Sequence, residues 1–193
     1  LNTPINRRRL VQGAAWAAPV VLAATSVPAY AASPTRGLDG WLLNSTRCTN
    51  DAYGRRVTTY EFNATGSYPA RGLWVSGATE KSVIGTTKII QYIGYTAATL
   101  TFQVVQASQW TTLAYDASAP KRDGYIAYST TYTGTWSYDK ATGLYFAANQ
   151  PYFRATITGT CISGLRVTTR REIVIDGGTY TTERSGTLVS RQS

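Results

Sequence analysis

Between residues 99 and 104 polar and apolar side chains alternate: Leu100, Phe102 and Val104 fall on one side, Thr99, Thr101 and Gln103 on the other. A period of two is that of a strand with one face packed and the other in water. The pattern recurs through much of the chain beyond residue 39. Residues 40–46 read as a first strand, and Asn50-Asp51-Ala52-Tyr53-Gly54 as the turn that separates it from a second over 55–64. In that second strand Tyr60 and Phe62 share a face and Glu61 points the other way. Residues 66–71 form a loop around Pro69, 73–76 a short strand closed by Gly77, and 86–95 a longer strand interrupted at Gly94. A further strand is expected over 110–116. After it, residues 117–124, with Pro120, Lys121, Arg122 and Asp123, make the longest plainly polar connection, expected as an exposed loop that crosses between sheets.

Residues 124–153 concentrate the aromatic side chains. Tyr128, Tyr132, Trp136 and Tyr138 all occupy even positions, so an unbroken strand places them on one face, followed by a hairpin turn over 139–143. Gly134 is placed to bend that strand. The stripe has two readings: an exposed platform that stacks on sugar rings or grips a protein partner, or rings that cover a sandwich core with their hydroxyls at its rim. Farther on, 152–158 turns Phe153, Ala155 and Ile157 inward, and that phase runs on through Gly159 to Cys161. Asp176-Gly177-Gly178 signals a hairpin between 171–175 and 179–184. A three-residue loop there sets Arg171 opposite Glu183, a two-residue loop sets Arg170 there, and either pair is expected at the surface. A last strand is expected over 187–190.

Composition sharpens the picture. Thr, Tyr and Gly are abundant, Met and His are absent, and runs of helix formers are few, which favours strands throughout. The fold class expected is all-β, an immunoglobulin-like or jelly-roll β-sandwich of ten to twelve strands. A signal helix is expected to precede it.

That helix lies in the stretch over 6–32, NRRRLVQGAAWAAPVVLAATSVPAYAA, which has the three parts of an export signal. Arg7, Arg8 and Arg9 give the basic start, residues 14–24 the apolar run, and Ala29-Tyr30-Ala31 the small-residue exit. Small side chains at Ala29 and Ala31 place cleavage after Ala31, with a cut after Ala32 as the alternative. The paired arginines followed by Arg9-Leu10-Val11 resemble the twin-arginine export pattern, from which Asn6 and Gln12 depart. The whole leader is similar to those of actinobacterial exported proteins. A retained membrane anchor is the competing reading, but Pro19, Thr25, Ser26 and Pro28 break the run short of the roughly 20 apolar residues a span needs. The final residues, LVSRQS, carry neither a sorting motif nor an apolar tail, so attachment there is not expected.

The leader divides the chain into an export signal, 1–31, and one β-sandwich domain, 32–193. Three of the 19 basic residues leave with the leader while all ten acidic ones remain, so the net charge falls from +9 to +6. That excess suits an anionic wall polymer or a surface, but it is scattered and unlike that of a nucleic-acid reader. Export also changes what Cys48 and Cys161 imply: two exported cysteines are most simply a disulfide, closing a loop of about 110 residues. Without histidine they cannot complete a usual zinc site, and no cofactor is expected. If the route is twin-arginine, the resemblance implies that the cargo folds before the bond closes.

The same lack of histidine removes Ser-His and Cys-His catalysis and leaves only carboxylates, among which Glu61, Glu80, Glu172 and Glu183 are the candidates for a glycosidase pair. The composition resembles that of small β-jelly-roll xylanases, without the catalytic strand motifs of that family. Asn44-Ser45-Thr46 and Asn63-Ala64-Thr65 fit glycosylation sequons, which a bacterial-type leader makes accidental. The function expected is that of a non-enzymatic protein, secreted or on the cell surface, with a structural, adhesive or binding role. Its partners would be a cell-wall polymer, a glycan or another surface protein, with no nucleic acid, and the membrane only through an uncleaved leader. The alternatives are a carbohydrate-binding module using the aromatic platform and a carboxylate-dependent glycoside hydrolase.

Overall fold

The computed structural model describes residues 35–189 together with 191 and 192. The export-signal residues Arg7, Arg8, Ala29 and Ala31 lie outside the described residues. Among those described there are strands and no helix: β1 (Gly37–Trp41), β2 (Leu43–Asn50), β3 (Arg56–Asn63), β4 (Gly72–Ser76), β5 (Ile84–Ile93), β6 (Phe102–Gln106) and β7 (Ala114–Tyr115). Then follow β8 (Ile126–Tyr132), β9 (Trp136–Asp139), β10 (Leu144–Ala147), β11 (Tyr152–Thr158), β12 (Leu165–Ile175), β13 (Gly178–Leu188) and β14 (Arg191–Gln192). They build three sheets, ordered β1-β4-β10-β9, β14-β2-β3-β11-β6 and β13-β12-β5-β8-β7. Pairing is antiparallel everywhere except between β14 and β2.

Consecutive strands share a sheet only in the hairpins β2–β3, β7–β8, β9–β10 and β12–β13; the other connections change sheet. This interleaving turns the inner faces of all three sheets onto one hydrophobic core. Leu73, Val75 and Tyr145 come from the first sheet, Tyr60, Phe62, Phe153 and Ile157 from the second, Ile89, Tyr128, Val167 and Ile173 from the third. Each fully enclosed ring or branched aliphatic side chain contributes roughly 1.5–3 kcal/mol relative to staying in water. A polar thread crosses the same interior. The Tyr60 hydroxyl donates to Asn44 Oδ1 (2.6 Å), Asn44 Nδ2 to Thr169 (3.3 Å), and the Thr169 hydroxyl to Gln91 Oε1 (2.6 Å), joining the second sheet to the third.

The all-β class stands, and the phase read for 152–158 is the one observed, with Phe153, Ala155 and Ile157 buried. The strand expected over 40–46 is instead two, in different sheets. The two are separated at Leu42; within β1, Gly40 adopts φ +113 and lies so close to the Gly72 carbonyl oxygen that a Cβ would collide with it. The strand expected over 110–116 is reduced to a single bridge from Trp110 to Tyr132 and the two-residue β7. The β12–β13 turn has two residues, Asp176 (φ +52) and Gly177 (φ +81), the primed geometry that matches strand twist. It sets Arg170 opposite Glu183. Arg171 is therefore on the inner phase, 5% exposed, donating to the Gly40 carbonyl at 3.1 Å, and the expectation that it decorates the surface is corrected.

Candidate functional site

The loop over 117–124 does not cross between sheets. It joins β7 to β8, neighbours in the third sheet, and folds back over that sheet's outer face. The reason lies in the outer phase of β5, where Ile90 and Tyr92 would otherwise face water; with Ala119 they form a second small apolar cluster, backed by Tyr125 and Ala127. Three attachments hold the loop in place. Asp116 is a hub: Oδ1 accepts from the backbone N–H and hydroxyl of Ser118 (3.0 and 2.6 Å), and Oδ2 from Lys88 Nζ (2.7 Å). The Lys88 ammonium, and then the Ser118 hydroxyl, hold the Asp116 carboxyl well below the usual carboxylate range. In the middle, the Tyr92 hydroxyl donates to the Pro120 carbonyl (3.1 Å), and burial raises that phenol so that it keeps its proton. At the far side the Arg122 guanidinium lies 4.6 Å over the Tyr92 ring and grips both oxygens of Glu183 (3.0 and 2.8 Å).

Between loop and sheet remains a cavity of about 330 Å³. Tyr92, Tyr115 and Tyr125 give it aromatic walls, and Lys121 and Asp123 stand at its rim. Tyr115, 57% exposed, offers the most accessible ring, while Arg166 covers Tyr125 with its guanidinium 5.2 Å from the ring centre. Such a space suits a ring carrying hydroxyl groups: tyrosine faces for its apolar side, loop carbonyls, Lys121 and Asp123 for its polar side. Periodicity alone points to the tyrosines farther along the chain. The signal that could have found these is the polar run 117–124 flanked by Tyr115 and Tyr125.

The predicted stripe is divided. Tyr128 and Tyr132 lie on β8 in the third sheet, Trp136 and Tyr138 on β9 in the first, with the break at Gly134. Tyr128, Tyr132 and Trp136 are buried and Tyr138 half-buried. Tyr128 accepts the Leu100 N–H at 2.8 Å, and Tyr132 stacks between Trp110 and Trp136 at centroid distances of 5.2 and 4.8 Å. Of the two readings of these rings, the inward one is observed, because both strands turn the even positions toward the shared core; the exposed platform is corrected.

Cys48 and Cys161 are joined, with their Cα atoms 5.4 Å apart. The bond ties β2 to the connection between β11 and β12. Among the four glutamates, Glu80 pairs with Lys140 in an exposed turn, and Glu61 accepts from Tyr152 (2.8 Å) and Arg154 (2.8 Å) on the outer face of the second sheet. Partial burial pushes the Glu61 carboxyl up, but those two donors outweigh it and hold it below its ordinary value. Glu172 and Glu183 are brought together, on either side of Arg170 at 2.6 and 3.3 Å. Arg122 first, and Arg170 with it, lowers the Glu183 carboxyl, so this acid stays ionised and is no proton donor at neutral pH. Neither carboxyl lines the tyrosine-walled cavity.

Comparison of the chain with protein-family models, curated proteins and solved structures finds no match.

Proposed function

We propose that the protein is an exported, non-enzymatic β-sandwich of the immunoglobulin-like or jelly-roll class that acts outside the cell or at its surface by binding, and that the cavity under the 117–124 loop takes a sugar unit of a glycan or wall polymer. The observation that carries this reading is the meeting of Tyr92, Tyr115 and Tyr125 around one open cavity with charged groups at its rim. The leader over 6–32 and the Cys48–Cys161 bridge support a destination outside the cytoplasm. The guanidinium partners of Glu61, Glu172 and Glu183 favour binding over glycoside hydrolysis, which needs one carboxyl held protonated.

The test is a glycan array of neutral and acidic oligosaccharides probed with the labelled protein, followed by titration calorimetry on the hits. Tyr115→Ala should weaken binding at least about fivefold, since one stacked ring is worth of the order of 1 kcal/mol or more. An array without hits, or hits that Tyr115→Ala and Tyr125→Ala leave unchanged, would overturn the assignment. Fractionation of the producing cell and mass spectrometry of the mature N-terminus test export and cleavage after Ala31.

A further inference from the structure

The charged side chains around the tyrosine-walled cavity are of two kinds. Most are spent on the fold. The Asp116 carboxylate is closed by Lys88 and Ser118, and Glu183 lies between Arg122 and Arg170, whose other partner is Glu172. Lys121, Asp123 and Arg166 are different: they are exposed, and none of their side chains forms an ion pair or a hydrogen bond with a described residue. Two of these three are cations.

Arg166 is placed by packing and not by a counter-charge. Its guanidinium lies over the Tyr125 ring, and its Nη2 comes within 3.3 Å of where a Cβ on Gly124 would stand, so the missing atom leaves it room beside two residues of the cavity wall. A guanidinium held over a ring keeps N–H groups for other partners, and its fork matches two oxygens of a carboxylate or a phosphate. Lys121, in the covering loop, adds a second unspent charge at the rim. The ring contacts also argue against a cationic ligand, because Tyr92 and Tyr125 already carry Arg122 and Arg166. Tyr115, more than half exposed, is left for the face of a sugar.

We propose that the sugar unit taken by this cavity is acidic, its carboxylate or phosphate ester bound by Arg166 and Lys121 while its ring lies on Tyr115. This rests on the sugar-binding reading and adds the anionic group to it. Asp123, the acid without a partner at the same rim, opposes the anion and limits its affinity.

The experiment is an array of matched pairs probed with the full chain, with affinities then measured by titration calorimetry. Oligomers of galacturonate, glucuronate and mannuronate stand beside their methyl esters, and sugar phosphates beside the unphosphorylated sugars, so the hits also tell which acid is read. An acidic member should bind at least about tenfold tighter than its neutral mate. Arg166→Gln should remove at least about tenfold from the acidic member, the loss expected for a charge-assisted contact, and leave the neutral one unchanged. Arg166→Lys should restore part of that loss, and Asp123→Asn should tighten the acid alone. Tyr115→Ala should weaken both members of the pair. Equal binding of acid and neutral mate, or acid binding indifferent to Arg166→Gln and Lys121→Gln, would overturn the anion assignment and leave the sugar reading standing. Equal binding of inorganic polyphosphate would overturn it too, because charge alone would then be read. No binding by any member would overturn both.

Discussion

Removal of the Cys48–Cys161 bridge is the perturbation whose consequence can be worked out most fully. The bond spans 113 residues, so in the chain-entropy model its loss returns about 5 kcal/mol of stabilisation to the denatured chain at 25 °C. At roughly 2–4 °C per kcal/mol for a domain of this size, the unfolding temperature falls by about 10–20 °C. The folded state should survive, because the connection carrying Cys161 is held without the sulfurs. Cys48 lies opposite Thr58 in the β2–β3 register, and the buried Thr58 hydroxyl donates to the Thr160 carbonyl and accepts the Ile162 N–H, both at 2.9 Å. The double variant C48A/C161A, and the wild type with and without reductant, are unfolded in urea and followed by tryptophan fluorescence and far-ultraviolet dichroism. Native spectra should be kept, the midpoint should drop, and the denaturant slope should rise as the released chain exposes more surface. Equal midpoints for bridged and unbridged chains would refute the entropic reasoning. Loss of the native spectra would refute the claim that Thr58 positions the connection. Adding Thr58→Val to the double variant should cost a further 1–3 kcal/mol or so, since it strands a carbonyl and an N–H.

Substitutions at four other positions probe separate parts of the structure. Asp116→Asn removes a carboxylate whose folded pKa is depressed by Lys88 and Ser118; the stability it confers is present above the unfolded value of about 3.9 and is lost as pH falls toward the lower folded value. The variant should therefore be less stable than wild type by about 1–3 kcal/mol at pH 7, with the gap narrowing steadily as pH falls below about 4, as read from urea midpoints. Gly40→Ala forces a Cβ into the Gly72 carbonyl at φ +113 and should cost more than about 2 kcal/mol, whereas Gly177→Ala, at φ +81 with open space around it, should cost about 1. Burial, with Arg184 adding to it, lowers the Arg171 guanidinium from its ordinary value to about 10, so its charge opposes folding at pH 7 and is relieved only as pH rises past 10. Arg171→Met should be neutral or stabilising at pH 7 by thermal unfolding, and Arg171→Ala, which leaves a void, should lose about 2 kcal/mol or more.

What could be read from the chain was decided by how local the determining interaction is. Phe153, Ala155 and Ile157 alternate in an unbroken strand, so their burial followed from period alone. The Asp176-Gly177 turn is equally local, although its two-residue length, and with it the pairing of Arg170 to Glu183, depended on backbone angles that two readings could satisfy. The close approach at Gly40 depends on the Gly72 carbonyl, 32 positions away, and no window around residue 40 contains that information. The aromatic stripe failed for a related reason: parity is a rule for one strand, and Gly134 passes the chain from the third sheet to the first. The tyrosine-lined cavity was hidden because Tyr92 belongs to an apolar run, residues 89–93 with Gln91 inside it, and only the covering loop shows that the run is packed on both faces.

The inward turn of the stripe leaves its rings in the core and not on a sheet surface. Three sheets that share one core spend Tyr128, Tyr132 and Trp136 on stability. The outer face of the first sheet is covered as well: Tyr68 packs on Trp74 and Phe146 at centroid distances of 5.0 and 5.6 Å. On the third sheet the cover is of a different kind, because its loop is anchored unequally. The Asp116 end is tied to Lys88 and Ser118 by a carboxylate only 10% exposed, a geometry in which charged hydrogen bonds keep most of their strength. The Arg122 end rests on an ion pair with Glu183 about one-third exposed on each side, and pairs of that kind are worth roughly 0–1 kcal/mol. The half of the loop bearing Lys121 and Asp123 is therefore held by more exposed contacts than the half that shields Ile90. The more firmly held wall of the cavity, Tyr92 and Ala119, is the part that the fold itself protects.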